Sequence, residues 1–385
     1  MGGLKILITN STLSHRCGTE LYVRDIALGL LARGHSPVAF STTLGEVARE
    51  LRRGNVPVVD DLDALDGWPD IIHGHHHLET TIASLRFPNA PVISFCHGVA
   101  PWEELPAQLP TVLRYVAVDL PCRDRLVREC GVPAEKVSLL FNFVDLKRFG
   151  RRGPLPDRPR RALVFSNAAS EQTQLPSIRK ACARRGIALD VAGLATRALE
   201  APEETLGQYD LVFAKARAAM EAMASGCAVV LCDSPGAGPM VTSGEFERLR
   251  ELNFGLRALL LPLRAEQIGS QIDRFDAADA THVRDLMRAN GDMERRLDEL
   301  LELYATVLGA ARSAPDPDAL TAAAGRYLQS LLPRIKSQEF VEEMARVHRE
   351  PGLRLQVALS NLPIAGRVVR ALGRRIFGSS RPHPD

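Results

Sequence analysis

Tyr209–Cys232 reads YDLVFAKARAAMEAMASGCAVVLC. The apolar run Tyr209–Phe213 has the length of a buried strand, and Ala228–Cys232, with its paired valines, reads as another. Between them Arg217–Ala224 reads as a helix. Strand, helix and strand in so short a space make a unit of parallel sheet. Lys215 and Arg217 stand at the helix N-terminus, where cations oppose the helix dipole. A bound phosphate would restore the balance there; a solvated surface pair is the plainer alternative. Glu221 lies one turn further in, followed by the small Ala222, Ala224, Ser225 and Gly226, so a ligand can approach closely. A carboxylate so placed can accept two hydrogen bonds from a ribose diol.

The same alternation runs upstream. Lys5–Ile8 reads as a strand, and Gly18–Arg33 as an amphipathic helix with Leu21, Ile26, Leu30 and Leu31 apolar and Gly34 placed to end it. Pro37–Phe40, Ile71–Ile72, Val92–Phe95, Tyr115–Val118 and Val137–Leu140 supply further strands. Arg151–Arg160, rich in Arg, Pro and Gly, is a linker. The pattern then restarts with a strand at Ala162–Ser166, a helix at Glu171–Arg185 and a strand at Ile187–Val191. Two doubly wound α/β lobes follow, with ligands expected outside the carboxyl ends of their strands. From Thr281 the chain reads helical, with an apolar stripe of Met293, Leu297, Leu300, Leu301, Tyr304, Val307 and Leu308. Pro315 and Pro317 break it, and Asp318–Leu332 begins another helix. The expected division is residues 1–150, 151–310 and a helical extension over 311–385.

Composition narrows the class. A chain of 385 residues with 45% hydrophobic and 24% charged residues is an ordinary globular protein large enough for two cores. A net charge of +2 gives no global attraction to nucleic acid, so no nucleic-acid partner is expected. The scattered Cys17, Cys96, Cys122, Cys130, Cys182, Cys227 and Cys232 form no metal-finger spacing and suit reduced thiols in a cytoplasmic protein. No apolar run approaches a membrane span, and the N-terminus lacks a secretory pattern.

Three further segments invite chemistry. Gly18 opens the first helix, where unsatisfied N–H groups can hold a phosphate, although a turn glycine explains it equally. Asp70–His77 places His73, His75, His76 and His77 after a short strand. Residues there point in different directions and no carboxylate or Cys follows at ligand spacing, so structural or substrate-contact roles outweigh a metal site. His97, at the end of the apolar strand before Gly98, is sited either to contact substrate or to hold the next loop.

Glu221-Ala222-Met223-Ala224-Ser225-Gly226-Cys227-Ala228-Val229-Val230 resembles the donor-site motif EAMA-x-G-x-P-V-V of family-4-like retaining glycosyltransferases. Gly18-Thr19-Glu20, Asp70-Ile71-Ile72-His73 and His97-Gly98 resemble that family's glycine loop, its D-[VI]-[VI]-H strand and its strand-end histidine. Within Arg123–Phe149, Gly131-Val132-Pro133, Lys136-Val137, Asn142, Val144-Asp145 and Phe149 follow the family's order, so the likeness spans roughly residues 4–310. It implies a GT-B fold of two Rossmann-like lobes, transfer of a sugar from a nucleoside-diphosphate sugar to an acceptor, retention of anomeric configuration, and no metal or other cofactor. It further implies Glu221 on the donor ribose, Gly18 facing the donor phosphates and His97 near the transferred sugar; beside these, Asn167, Lys215 and Arg217 are donor-side candidates and His73 and His75 acceptor-side candidates.

Two departures stand out. The first glutamate of the family's E-x7-E motif falls at Phe213, and Ser166–Gln172 lacks the family's phosphate-binding cations. Lys215 and Arg217 are read as their replacement. These departures keep a binding or scaffolding protein in view as an alternative, beside a sugar-nucleotide epimerase. In the tail, Asn361–Gly378 carries Ile364, Val368, Val369, Leu372 and Ile376 on one helical face and Arg367, Arg370 and Arg374 on the other. Packing against the first lobe is the favoured reading, and contact with an anionic membrane surface the alternative. The expected location is accordingly the cytoplasm, free or at the membrane's inner face.

Overall fold

A computed structural model describes residues 3–193, 199, 201–311 and 314–349. Its first sheet holds β1 (Lys5–Thr9), β2 (Ser36–Phe40), β3 (Val58–Val59), β4 (Ile71–His75), β5 (Val92–Cys96), β6 (Val112–Ala117) and β7 (Val137–Leu139). Their order is β3-β2-β1-β4-β5-β6-β7, with every pairing parallel. Helices α1 (Gly18–Ala32), α2 (Glu46–Arg53), α3 (His77–Arg86) and α4 (Leu120–Asp124) make its connections. Gly34, at φ +80°, ends α1 as its sequence suggests: the N–H groups of His35 and Gly34 turn back to the Leu30 and Leu31 carbonyls.

The second sheet has β8 (Arg161–Phe165), β9 (Ala188–Ala192), β10 (Leu211–Ala214), β11 (Ala228–Asp233) and β12 (Gly236–Met240), in the order β12-β11-β10-β8-β9. Around it lie α5 (Leu175–Ala183), α6 (Pro202–Thr205), α7 (Ala216–Ser225), α8 (Phe246–Glu251), α9 (Ala265–Ile272) and α10 (Ala277–Asn290). The order of each sheet reverses once, at β1/β4 in the first and β8/β10 in the second.

Three local readings need correction. The helix expected over Glu171–Arg185 begins only at Leu175, because Ser170 and Thr173 bond each other in a turn and Pro176 suits only a first helical turn. Strand β12 was not expected; it runs antiparallel to β11, and Ala237 also bridges Leu261. Its Gly236 and Gly238 look like loop residues, yet a Cβ there would come within 2.8 Å of the Leu259 and 2.7 Å of the Ala258 carbonyl oxygens. Helix α11 (Met293–Ala310) falls within the stretch assigned to the second lobe but packs Met293, Leu297, Leu300, Tyr304 and Val307 into the first lobe's core, beside Ile6, Ile26 and Phe95.

Residues 1–320 form one compact unit containing both sheets, and a second unit begins at Thr321, along α12 (Pro317–Arg349). The amphipathic segment Asn361–Gly378 lies outside the described residues. Among them, no helix is long and apolar enough to cross a membrane, and the seven cysteines are free thiols.

Candidate active site

Parallel strands deliver their carboxyl ends to one edge of each sheet, and in this unit both edges open on the same cleft. Ser11 follows β1, His76 follows β4, His97 follows β5, Asp119 follows β6 and Asn142 follows β7; all line a cavity of about 680 Å³. From the second lobe come Lys215, Ala216 and Arg217 after β10, and Asn253, Gly255, Leu256 and Arg257 after α8. An adjoining pocket of about 250 Å³ shares Cys17, Gly18, Lys215 and Arg217 and adds Ser166, Asn167, Glu221 and Asp233. Each reversal of strand order therefore faces this space.

Two helices point their N-termini into it. Neither Cys17, the N-cap of α1, nor Lys215, the N-cap of α7, makes a side-chain cap hydrogen bond, while Glu20 in the first turn of α1 accepts its own backbone N–H. Such ends carry unsatisfied N–H groups and a partial positive charge. At Gly18 nothing in the fold demands glycine: an added Cβ would meet no atom within 4 Å. The space in front of α1 is open. Backbone strain concentrates here too, with His76, Ala216 and Asn253 at φ +60°, +47° and +55°. The Ala216 N–H donates to the Phe254 carbonyl at 2.8 Å, tying the two second-lobe loops together.

The charged residues are heavily paired. Lys215 Nζ lies 3.1 Å from Asp233 Oδ2, while Asp233 Oδ1 accepts from Ser166 Oγ at 2.6 Å. Lys215 remains about one third exposed to the cleft. Arg217 donates from Nε to Glu221 Oε1 at 2.7 Å and from Nη2 to Asp25 Oδ2 of α1, so it is an interlobe tie rather than the free cation its sequence position suggests. Arg24 completes the group, donating to Asp25 at 2.8 Å and to Glu50 at 2.8 Å. Burial would raise the Asp25 carboxyl, but Arg217 and Arg24 outweigh it and hold Asp25 below its ordinary range. For Glu221 burial wins over Arg217, and its carboxyl is raised.

The first-lobe wall holds a second polar group. His97 faces the cleft, its Nε2 2.9 Å from His75 Nδ1, and its backbone N–H donates to Glu104 Oε2 at 2.7 Å. His76 Nδ1 accepts the Ser11 N–H at 3.1 Å, leaving its Nε2 3.7 Å from Glu104 Oε1. Arg125 donates to the Gly98 and Pro101 carbonyls at 2.6 and 3.0 Å, so the loop after β5 is clamped from both sides. Burial and the neighbouring His76 lower His97 to about 3, and burial lowers His76 to about 4, so both are neutral imidazoles at pH 7. Burial pushes Glu104 up to about 7 against the pull of the His97 N–H and Arg125.

The structure thus brings Gly18, His97, Lys215 and Arg217 to one cleft and Asn167 and Glu221 to the adjoining pocket. It does not bring His73 and His75 there. Both are fully buried: His73 stacks on Phe95 with ring centroids 4.0 Å apart and shares a 2.5 Å hydrogen bond with the Tyr304 hydroxyl. Residues pointing inward from a central strand join the core, and the cleft histidine of that run is His76, just past the strand. Phe213 lies in the core on the sheet face opposite α7, with Ile178 and Ile268, so no side chain at 213 reaches Glu221. Asp25, Glu104, Asp233 and Asn253 went unread in the sequence. Only Arg24-Asp25, an ion pair inside an apolar helix, left a signal. Among the described residues no His/Cys/Asp/Glu group is placed to hold a metal ion.

Glu104 supplies a test of this electrostatic picture. Its folded value lies above the ordinary 4.5, so its contribution to stability is complete below that pH and declines as pH rises through about 7. His76 shifts in the opposite sense, which makes the difference between wild type and Glu104→Gln the observable. Urea unfolding is expected to show the variant gaining about 2 kcal/mol on wild type between pH 5 and pH 8. An unchanged difference would mean that Glu104 titrates normally.

Comparison with known proteins agrees with this architecture. Residues 17–148 match the sequence profile of Glycosyltransferase Family 4. A glycosyltransferase from Rickettsia africae superposes with a TM-score of 0.60 at 16% identity, covering 80% of this chain and 99% of its own. An Anabaena protein, HepE, solved with UDP-glucose, gives 0.60 at 16% identity over 79% of this chain and all of its own. A UDP-N-acetylglucosamine 2-epimerase of Listeria monocytogenes, described as putative, gives 0.50 at 14% identity, covering 82% of this chain and 99% of its own. No curated protein matches the chain. The fold is GT-B.

Proposed function

We propose that this GT-B chain, with its Glycosyltransferase Family 4 segment over residues 17–148, transfers a sugar from a nucleoside-diphosphate sugar to a hydroxyl acceptor. The fold and the segment are those of a glycosyltransferase. The observation that carries the reading is the meeting of the α1 and α7 N-termini and Lys215 at one open space, with Glu221 beside it. That arrangement suits a diphosphate flanked by a ribose. As the bond from the anomeric carbon to phosphate oxygen breaks, its electron pair leaves with the nucleoside diphosphate, and the N–H groups and Lys215 stabilise the growing charge without a metal. The acceptor oxygen forms the new bond, and its proton passes to the departing phosphate oxygen. Neutral His97 lies on the wall where the transferred sugar would stand. Retention of configuration belongs to the proposal on the strength of the sequence resemblance.

A second reading, epimerisation of the sugar nucleotide, draws on Glu104, whose buried carboxyl is raised to about 7 and so can exchange a proton near neutral pH. Product analysis separates them: transfer or donor hydrolysis releases a nucleoside diphosphate, whereas epimerisation leaves the sugar nucleotide intact. The test is release of nucleoside diphosphate from UDP-, GDP-, ADP-, TDP- and CDP-sugars, with Gly18→Val as the partner variant. Valine at 18 enters open space, so folding should persist while release falls at least about tenfold, a loss of ~1.4 kcal/mol. Release unaffected by valine would remove the diphosphate from the α1 N-terminus.

A further inference from the structure

Polarity in the cleft runs opposite to the ordinary order of a protein surface. Its buried wall carries the polar Glu20, His76, Glu104, Asp119 and Asn253, all nearly inaccessible, beside the apolar Tyr22, Phe143 and Met220. Burial raises the carboxyls of Glu20, Glu104 and Asp119, as expected for acids held away from water. The exposed rim is largely apolar. Ala100 and Pro101 form it on the first lobe and Leu256 on the second, with Arg257 as its charged member. Leu256 is 44% exposed and Leu260, four residues on, is 80% exposed, although both sit where a polar side chain would be cheaper to hydrate. Val99, Pro121 and Leu252 continue the apolar lining between rim and wall. A ligand fitting this gradient carries hydroxyls at its inner end and hydrocarbon at its outer end.

We infer that the acceptor side of the cleft binds an amphiphile, a hydroxylated head on an apolar body, with the head against His76, Glu104 and Asp119 and the body between Pro101 and Leu256. This rests on the glycosyl-transfer reading, which assigns the opposite side of the cleft to the donor. An alkyl chain and an aromatic aglycone both satisfy the chemistry, and the arms of the test distinguish them.

The chain has two tryptophans, Trp68 and Trp102. Trp102 lies between the cleft residues Pro101 and Glu103, so Trp68→Phe leaves a single fluorophore at the site. The methyl, octyl and phenyl glycosides of glucose, galactose and mannose are titrated into that protein, with the octyl compounds kept below micelle formation. At least one head group is expected to bind about tenfold or more tightly as its octyl or phenyl glycoside than as its methyl glycoside. Octyl preference identifies an alkyl body, and phenyl preference an aromatic one. Leu256→Ser, at an exposed position, should erase the preference. Equal affinity for the three glycosides, no binding of any, or a preference that survives Leu256→Ser would overturn the inference. Nucleoside-diphosphate binding is measured in parallel: its absence beside a Leu256-dependent preference counts against the donor reading alone.

Discussion

Asp25→Ala is expected to destabilise the protein by about 3–5 kcal/mol, the largest stability effect of any substitution in the cleft region. Asp25 is 4% exposed and lies between Arg24 of its own helix and Arg217 of the second lobe. Truncating it leaves two guanidinium groups in a poorly hydrated interior with one anion fewer, and an uncompensated buried charge costs far more than the intact pair contributes. Asp25→Asn preserves shape but removes the charge, so its loss should be smaller. The pH dependence has a definite sign. Arg217 and Arg24, opposing the effect of burial, hold the folded-state carboxyl below its ordinary value. Its contribution is therefore complete above the ordinary aspartate value of about 3.9 and is lost as pH falls through the depressed one. Urea unfolding of wild type and both variants at pH 7 and pH 3 measures this, and equal stabilities at pH 7 would show that the lobes are joined by something other than this ion-pair group.

Lys215→Ala should reduce turnover of the donor sugar nucleotide by about 10²-fold or more, the scale seen when one preorganised group is removed from a developing negative charge. The fold should survive. Lys215 is one third exposed, and its partner Asp233 keeps the hydroxyl of Ser166 and the amide of Gln174. Arg217 offers no substitute, being held by Asp25 and Glu221. Steady-state release of nucleoside diphosphate decides the matter. A rise in donor KM at constant kcat would place Lys215 on the ground-state diphosphate, and a fall in kcat would place it on the transition state. Unchanged kinetics would contradict its assignment to the diphosphate.

Much of the fold was legible because parallel strands buried on both faces leave continuous apolar runs, and Gly34 marks a helix end through left-handed backbone that glycine tolerates. What escaped depended on tertiary contact. Gly236–Met240 has the composition of a loop, and only its close approach to residues 258–261 makes it a strand. The stripe on α11 was plain, but no local signal says which lobe's core receives it. In the site, strand-end positions were readable and side-chain commitments were not. His73 and His76 are three residues apart, yet one stacks in the core and the other lines the cleft. Lys215 and Arg217 are two apart, yet their carboxylate partners come from different lobes. Glu104 carried no sequence signal, because its role arises from the burial of a short turn against the loop after β5.

The central claim is that the adjoining pocket around Gly18, Lys215 and Glu221 holds a nucleoside diphosphate. Its most direct measurement is a thermal-shift titration of the protein with UDP, GDP, ADP, TDP and CDP, repeated with Glu221→Ala. One of them is expected to stabilise the wild type by about 2.7 kcal/mol at a hundred times its Kd, and to lose that effect in the variant. No shift with any of the five, or a shift that survives Glu221→Ala intact, would contradict it.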